Sequence, residues 1–201
     1  MSVGEARKIS AVLIALNEER RIGPALASVS WADEILVVDG GSTDRTRELS
    51  RGEGARVIER EFTGFVDQKN FAIEQAGNDW VFSLDADERV SPALAEEIQT
   101  LRRSGFPAAG YRASRVAFYL GRFIRSTEWY PDWQLRLFDR RRGRWQGKYV
   151  HESVEVEGPV EQLAGEIFHY PYQSLSHHLE RMNRYAALAA RQMGETGQKG
   201  G

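Results

Sequence analysis

Apolar positions along this chain follow two periods in turn. Residues 9–16 (ISAVLIAL), 34–38 (EILVV), 56–58 and 81–84 (VFSL) are short apolar runs bounded by polar residues, of the length of buried strands rather than helices. Between them the spacing turns helical. Residues 21–29 put Ile22, Leu26 and Val29 on one face, and a helix capped by Ser42 or Thr43 runs through Leu49. Residues 65–76 carry Phe65, Val66, Phe71, Ala72 and Ile73 before a stop at Gly77-Asn78. Ser91 and Pro92 supply the N-cap and first residue of a further helix over 91–103. This alternation predicts an α/β fold, a mostly parallel central sheet flanked by helices.

The pattern changes after residue 107. Residues 110–120 (GYRASRVAFYL) and 134–138 (QLRLF) alternate in strand fashion, with Arg136 between two leucines. Residues 150–156 and 160–169 read as further strands, antiparallel ones, and an aromatic-rich loop, Trp129-Tyr130-Pro131-Asp132-Trp133, lies among them. An amphipathic helix over 174–193 collects Leu175, Leu179, Met182, Tyr185, Ala186 and Ala189 on one side, and a glycine-rich tail, 194–201, follows. One domain, 1–201, is therefore expected, built from a first half (1–107), a second half (108–173), the helix and the tail.

Composition adds mainly exclusions. The chain has 201 residues and 22.8 kDa, and its 41% hydrophobic content suffices for one sizeable core. The lack of cysteine rules out disulfides, thiolate metal sites and a thiol nucleophile, and is compatible with a reducing cytoplasm. The first apolar run is short and leads straight into Asn17-Glu18-Glu19, unlike a signal peptide, and no apolar stretch approaches a membrane span. Net charge is −2, yet residues 112–148 hold ten basic and three acidic residues, a local balance of +7. Such a segment suits phosphate-bearing ligands or an anionic surface, and equally a solvated arginine-rich face.

Candidate chemistry gathers at the predicted strand ends. Asp85 and Asp87 are two apart, so on an extended chain they leave one face, just past a strand's carboxyl end, where open α/β sheets bind ligands. The two carboxylates repel unless a cation lies close, and all-oxygen sites suit Mg²⁺ or Mn²⁺; taken alone, the pair also reads as an acidic turn. Asn17 and Glu18 close the first run and Asp39 the second, so polar groups share one rim that fits a nucleotide. Neither G-x-G-x-x-G nor G-x-x-x-x-G-K-[ST] is present, so a diphosphate there must be met by metal and basic side chains. Asp39 suits a ribose hydroxyl or a base N–H, or caps the following helix.

In order along the chain, Ala15-Leu16-Asn17-Glu18-Glu19, Val37-Val38-Asp39-Gly40-Gly41-Ser42-Thr43-Asp44, Gln68-Lys69-Asn70 and Leu84-Asp85-Ala86-Asp87-Glu88 resemble family 2 glycosyltransferases with the GT-A (Rossmann-like) fold. Tyr130-Pro131-Asp132-Trp133-Gln134-Leu135-Arg136-Leu137-Phe138 and Val150-His151-Glu152 look like the branch that adds sugars to the lipopolysaccharide inner core, as a β-1,4-glucosyltransferase acting on heptose. The resemblance runs from about Ile9 to Arg191. It implies inverting transfer of a hexose, glucose in that branch, from a UDP-sugar to a saccharide or glycolipid acceptor. It also implies a cytoplasmic enzyme in peripheral contact with the inner membrane, with no nucleic acid partner.

By that resemblance Leu16, Asn17, Glu18, Asp39, Lys69, Asp85 and Ala86 would hold the nucleotide sugar in the first half. Asp87, with Asp85 and His151, would hold a divalent cation, Mg²⁺ or Mn²⁺. Trp129, Tyr130, Trp133, Arg136 and Glu152 would face the acceptor in the second half, with its smaller antiparallel part; the charge of the basic segment 112–148, with its arginines at 140–142, sets it on the same acceptor side. Lys69 also reads as a surface lysine, and His151 as a structural histidine paired with Glu152. Inversion needs a carboxylate base, and of Glu128, Asp132 and Glu152 the expected one is Asp132. Pro131 fixes its backbone, and Tyr130 and Trp133 can exclude water and raise its pKa; its other reading is a turn carboxylate paired with an arginine.

Two departures from the family stand out. Gly40 occupies a position where many relatives carry an acidic residue. Members of this branch usually continue for several dozen residues with an apolar and basic segment able to lie on a membrane, so a shortened member or a fragment is expected. Two rival readings make different demands on these residues. A sugar-1-phosphate nucleotidyltransferase would want a glycine-rich basic loop where Asn17-Glu18-Glu19-Arg20-Arg21 stands, and a non-catalytic module would not need Asp85, Asp87 and Asp132 together.

Overall fold

The computed structural model describes residues 7–147 and 152–172. In chain order the elements are β1 (Ile9–Ala15), α1 (Ile22–Ala27), β2 (Glu34–Asp39), α2 (Thr46–Gly52), β3 (Arg56–Glu59), α3 (Phe65–Gln75), β4 (Trp80–Asp85) and β5 (Glu88–Val90). They continue with α4 (Pro92–Ser104), β6 (Gly110–Tyr119), β7 (Arg122–Ile124), a 3-10 turn at Thr127–Trp129, β8 (Asp132–Asp139), β9 (Gly143–Gln146), β10 (Ser153–Val156) and β11 (Val160–His169). All of these lie in the unit Met1–His169. The helix expected over 174–193, the tail and His151 lie outside the described residues. No helix among the described residues is long and apolar enough to cross a membrane.

The four apolar runs form a parallel core in the order β3-β2-β1-β4. β1 is buried on both faces, which is why it is a nearly continuous apolar run. Its alternate side chains serve two layers: Ile9, Ala11 and Leu13 pack with Ile22, Leu26, Leu94 and Ile98, while Val12 packs with Ala72 and Ile73. The sheet then continues through β8, β6, β11 and β5 to nine strands, with β7 folded back on β6. β8 runs antiparallel to β4 and β6 antiparallel to β8. Residues 160–169 were expected to be antiparallel; β11 pairs parallel with β6 and antiparallel only with the short β5. The long excursion from β6 through β10 gives the chain room to return in the same direction. The expected antiparallel part is present as the separate β9–β10 pair, while β6 and β8 extend the main sheet.

These directions define two rims. β1, β2 and β4 end at Ala15, Asp39 and Asp85 on one of them. The start of β8 and the end of β11 come to that same rim, since Arg115 pairs with Asp132 and His169 with Glu88 in register. The other end of β8 pairs Asp139 with Trp80, the first residue of β4. Arg140, Arg141 and Arg142 follow there, so the arginine run expected to face an acceptor sits at the opposite rim. Arg140 donates to the carbonyls of Ile73 and Glu74 at the end of α3, and Arg141 pairs with Asp79 and Asp139.

Helix boundaries follow local chemistry where the caps are local. Ser91 Oγ accepts from Leu94 N–H at 3.2 Å, Pro92 opens α4, and Gly105 in a left-handed conformation closes it. α2 differs from expectation. It begins at Thr46 without a side-chain cap, because Ser42 and Thr43 are used to join two loops instead.

Candidate active site

The loops after β1 and β2 are laced together by side chain to backbone bonds. Asn17, at a positive φ of 55°, donates its N–H to Ser42 Oγ and accepts Thr43 N–H on Oδ1. Glu18 N–H donates to Thr46 Oγ1 and Glu19 N–H to Asp44. Asp39 is fully buried: Gly41 N–H and Ser42 N–H donate to its Oδ1, and Ser42 Oγ donates to Oδ2. Of the residues expected to hold the nucleotide sugar, Asp39 closes the loop after β2 and does not cap α2, Ala86 is buried, and Leu16 stands 45% exposed.

Beside these loops a line of alternating charges crosses the sheet. Asp132 pairs with Arg115 through Nε at 2.8 Å and Nη2 at 2.7 Å; Arg115 reaches Glu88 at 3.2 Å. Glu88 accepts from Arg136 at 2.7 Å, Arg136 donates to Asp85 at 2.9 Å, and Asp85 takes Lys69 Nζ at 2.9 Å. Lys69 Nζ ends the line 4.0 Å from Glu152. Glu88 also accepts Asp85 N–H at 3.1 Å, which closes the Asp85-Ala86-Asp87 turn. The sequence places Glu88 in the motif but gives it no role; the structure makes it the hub.

Charge and burial set the protonation states along this line. Burial alone would push the Asp85 carboxyl up, but the Lys69 and Arg136 charges and their hydrogen bonds prevail and hold it far below the usual carboxylate range. Burial opposes the Arg136 charge too, yet Glu88 and Asp85 raise its pKa further. Glu152 goes the other way. Burial and the Asp85 charge push it up, and Lys69 offsets only part of that.

Arg136 was expected on the acceptor side, but it is 1% exposed and fills the interior between Asp85, Glu88 and the Trp145 ring. Its strand places it on the face that the β9–β10 pair covers. Lys69 is likewise buried, with Nζ 4.0 Å from the centroid of Trp145. Asn70 fixes Trp145 by bonding both its N–H and its carbonyl.

Asp87 lies 3.5 Å from His169 Nε2 and 4.0 Å from Arg21. His169 and Arg21 carried no signal in the sequence. His169 could be found only by knowing that β11 runs parallel to β6 and so ends at this rim. Among the described residues no group of three or more His, Asp or Glu is placed to hold a metal ion by itself, and Asp85 is engaged by two cations. A carboxylate and an imidazole nonetheless fit a cation that takes its remaining donors from water and substrate phosphates. Of the aromatic residues, Tyr130 donates to Glu166, Trp129 packs edge-on with Tyr119, and Trp133 lies under Arg112. Trp129 and Trp133 are both exposed.

Residues 10–154 match the glycosyl transferase family 2 model. The chain belongs to that family. This glycosyltransferase is 32% identical over 198 residues to the lipopolysaccharide core biosynthesis glycosyltransferase LpsC of Rhizobium meliloti, covering 95% of the chain and 73% of LpsC. An uncharacterized glycosyltransferase of Rickettsia typhi is 32% identical over 206 residues, covering 96% of the chain and 70% of that protein. Among solved structures, S. aureus TarS 1-349 in complex with UDP-GlcNAc superposes with a TM-score of 0.59 at 15% identity, covering 83% of the chain and 59% of TarS 1-349. That likeness establishes the GT-A fold. Family membership goes against the nucleotidyltransferase reading.

Proposed function

We propose that this glycosyltransferase moves a hexose, glucose by its motifs, from a UDP-sugar to a saccharide of the lipopolysaccharide core, inverting the transferred carbon. The observation that carries this reading is the split within one turn: Asp85 is neutralised by Lys69 and Arg136, while Asp87 stands beside His169 and Arg21 on the same rim. The similarity to LpsC supports the core acceptor, and the rim position supports a nucleotide donor. Cytoplasmic placement with peripheral membrane contact goes with such an acceptor.

Asp87 and His169 would hold Mg²⁺ or Mn²⁺, which supplies Lewis acidity against the charge building on the departing diphosphate. Arg21 and Lys69 add the cationic side chains that a site without a glycine cradle requires. Glu152 takes the proton of the acceptor hydroxyl as its oxygen bonds to the sugar carbon and the bond to UDP breaks. Asp132, expected as the base, is committed to Arg115 by two bonds, whereas Glu152 is partly buried with a raised pKa. The exposed rings of Trp129 and Trp133 offer stacking surfaces for acceptor sugars.

Incubation with UDP-glucose and Mn²⁺ should release UDP by slow hydrolysis, faster when a core saccharide is added. In Asp87→Asn the Mn²⁺-dependent tightening of UDP should vanish with little change in Tm, because the side chain is at the rim. Tight UDP binding without release under any donor would favour the non-catalytic module.

A further inference from the structure

We infer that the β6–β7 hairpin docks the enzyme on an anionic phospholipid surface, with Leu120 at its tip set among the headgroups and Arg122 on their phosphates. The inference rests on the proposed function only in taking the acceptor to be carried by a lipid.

The hairpin stands out beyond the rim that carries the site. In register, Arg115 of β6 pairs with Asp132, where β8 begins, and Ala117 with His169, where β11 ends. β6 continues to Tyr119, turns through Leu120 and Gly121, and returns as β7 alongside itself. Among the described residues only β7 pairs with β6 at Phe118 and Tyr119. At about 3.3 Å per residue, Leu120 reaches roughly 10 Å past the level of His169 along the strand direction.

The tip is chemically unusual. Tyr119 faces Arg122 across a two-residue turn, and φ is positive at both turn residues, 48° at Leu120 and 84° at Gly121. Such a turn favours Asn-Gly, because a bulky side chain is strained in the left-handed region. Leu120 accepts that strain and leaves its side chain 75% exposed, more than any other large apolar side chain among the described residues. A single exposed leucine is ordinary. One held in a strained conformation at the end of a projecting hairpin points to a use.

Its surroundings match the chemistry of a bilayer surface. Residues 116–127 hold two arginines and no acidic residue. Arg122, beside the tip, is exposed and makes no ion pair among the described residues, while Arg125 pairs with Glu166 at 2.6 Å. An arginine in that position is drawn to the charge of an anionic leaflet. Behind the tip, Phe118 packs edge-on with Phe123 at 5.2 Å, Phe123 meets Phe168 at 4.6 Å, and Tyr119 meets Trp129 at 5.8 Å. These rings brace the hairpin, and Tyr and Trp suit a boundary where one end of the side chain is apolar and the other wet. Shape decides against other occupants. A stable interface between copies buries about 800 Å² on each, which a two-residue tip does not offer. A sugar needs hydrogen-bonding groups beside it, and neither Leu120 nor Gly121 has a polar side chain. A bilayer closes around a narrow apolar protrusion. Seated in this way, the tip holds the rim about 10 Å from the lipid, room in which the saccharide of a membrane-borne acceptor can meet the site.

The test is co-sedimentation of the intact chain with vesicles of phosphatidylcholine, with and without phosphatidylglycerol, beside Leu120→Asn, Leu120→Trp and Arg122→Gln. The intact chain should bind the phosphatidylglycerol vesicles more tightly, and added salt should weaken that binding. Leu120→Asn should weaken binding to both kinds by about tenfold while Tm holds or rises, since Asn-Gly suits the turn. Leu120→Trp should bind as the intact chain does. Arg122→Gln should lose about fivefold on the anionic vesicles alone. Transfer to a soluble core saccharide, and UDP release without acceptor, should be unchanged in every variant. Vesicle binding by Leu120→Asn equal to that of the intact chain, or an intact chain that ignores vesicles, would overturn the docking. So would an equal loss of transfer to the soluble saccharide, which would give the tip to the acceptor site. A dimer that Leu120→Asn splits would overturn it as well and give the tip to a second copy. Tip-dependent vesicle binding by a chain that transfers no sugar would uphold the docking and reject the proposed function.

Discussion

At the scale of single residues, the contrast between Asp132 and Glu152 shows what neighbours do to identical chemistry. Pro131 and the flanking rings make Asp132 look desolvated in the sequence, but Arg115, seventeen positions away, supplies two bonds once β6 and β8 pair. Among the described residues Glu152 has no partner as close: Lys69 Nζ is 4.0 Å off. Glu152→Gln should lower kcat by a factor of ~10²–10⁴ with UDP affinity retained, whereas Asp132→Asn should affect kcat less. The base must be ionised to work, and burial, with the Asp85 charge, pushes the Glu152 carboxyl up from its ordinary value. The acid limb of kcat/KM should therefore lie above the pKa of a free glutamate and disappear in Glu152→Gln. Collapse of turnover in Asp132→Asn alone would return the base to Asp132.

At the scale of elements, α4 and α3 show two ways in which a helix is fixed. α4 carries its start signal locally in Ser91-Pro92, and Ser91 Oγ also accepts Glu166 N–H, joining the helix to β11. Ser91→Ala should cost about 1 kcal/mol, a Tm fall of about 2–4 °C by scanning calorimetry. No change in Tm would mean that water replaces both bonds. α3 is fixed by what it carries: Gln68 reaches Arg60, Lys69 reaches Asp85, and Asn70 clamps Trp145. Its sequence showed the apolar stripe, while its polar face gained meaning only with β9 alongside.

At the scale of the whole molecule, the line from Asp132 to Glu152 stitches the parallel half of the sheet to the antiparallel extension. Its centre is buried, with Arg136 1% and Glu88 0% exposed, and Arg136 Nε and Nη1 make no hydrogen bond among the described residues. Such a line is poor evidence of net stabilisation, but removing one member strands the others. Arg136→Met should destabilise by about 3–5 kcal/mol in urea unfolding. The sign with pH follows from Asp85, whose folded pKa lies below its unfolded value. Its contribution is complete above about pH 4 and is lost as pH falls further, so the gap between the intact chain and Arg136→Met should narrow in acid. A gap independent of pH would show that lost packing, not charge, accounts for the effect.

The sequence by itself determined the parallel core, the rim and the acidic turn at Asp85 and Asp87, because buried strands, helix caps and extended-chain geometry are local in origin. Four ordered motifs were enough to indicate the family that residues 10–154 match. Tertiary structure alone decided which side chains meet. The direction of β11 brought His169 to Asp87, and the register of β6 with β8 gave Asp132 to Arg115. Closure of the β1 and β2 loops on each other buried Asp39, while the turn after β8 carried the arginine run to the far rim. Each of these depends on strand order and pairing between distant segments, and neither apolar periodicity nor motif spacing encodes that pairing.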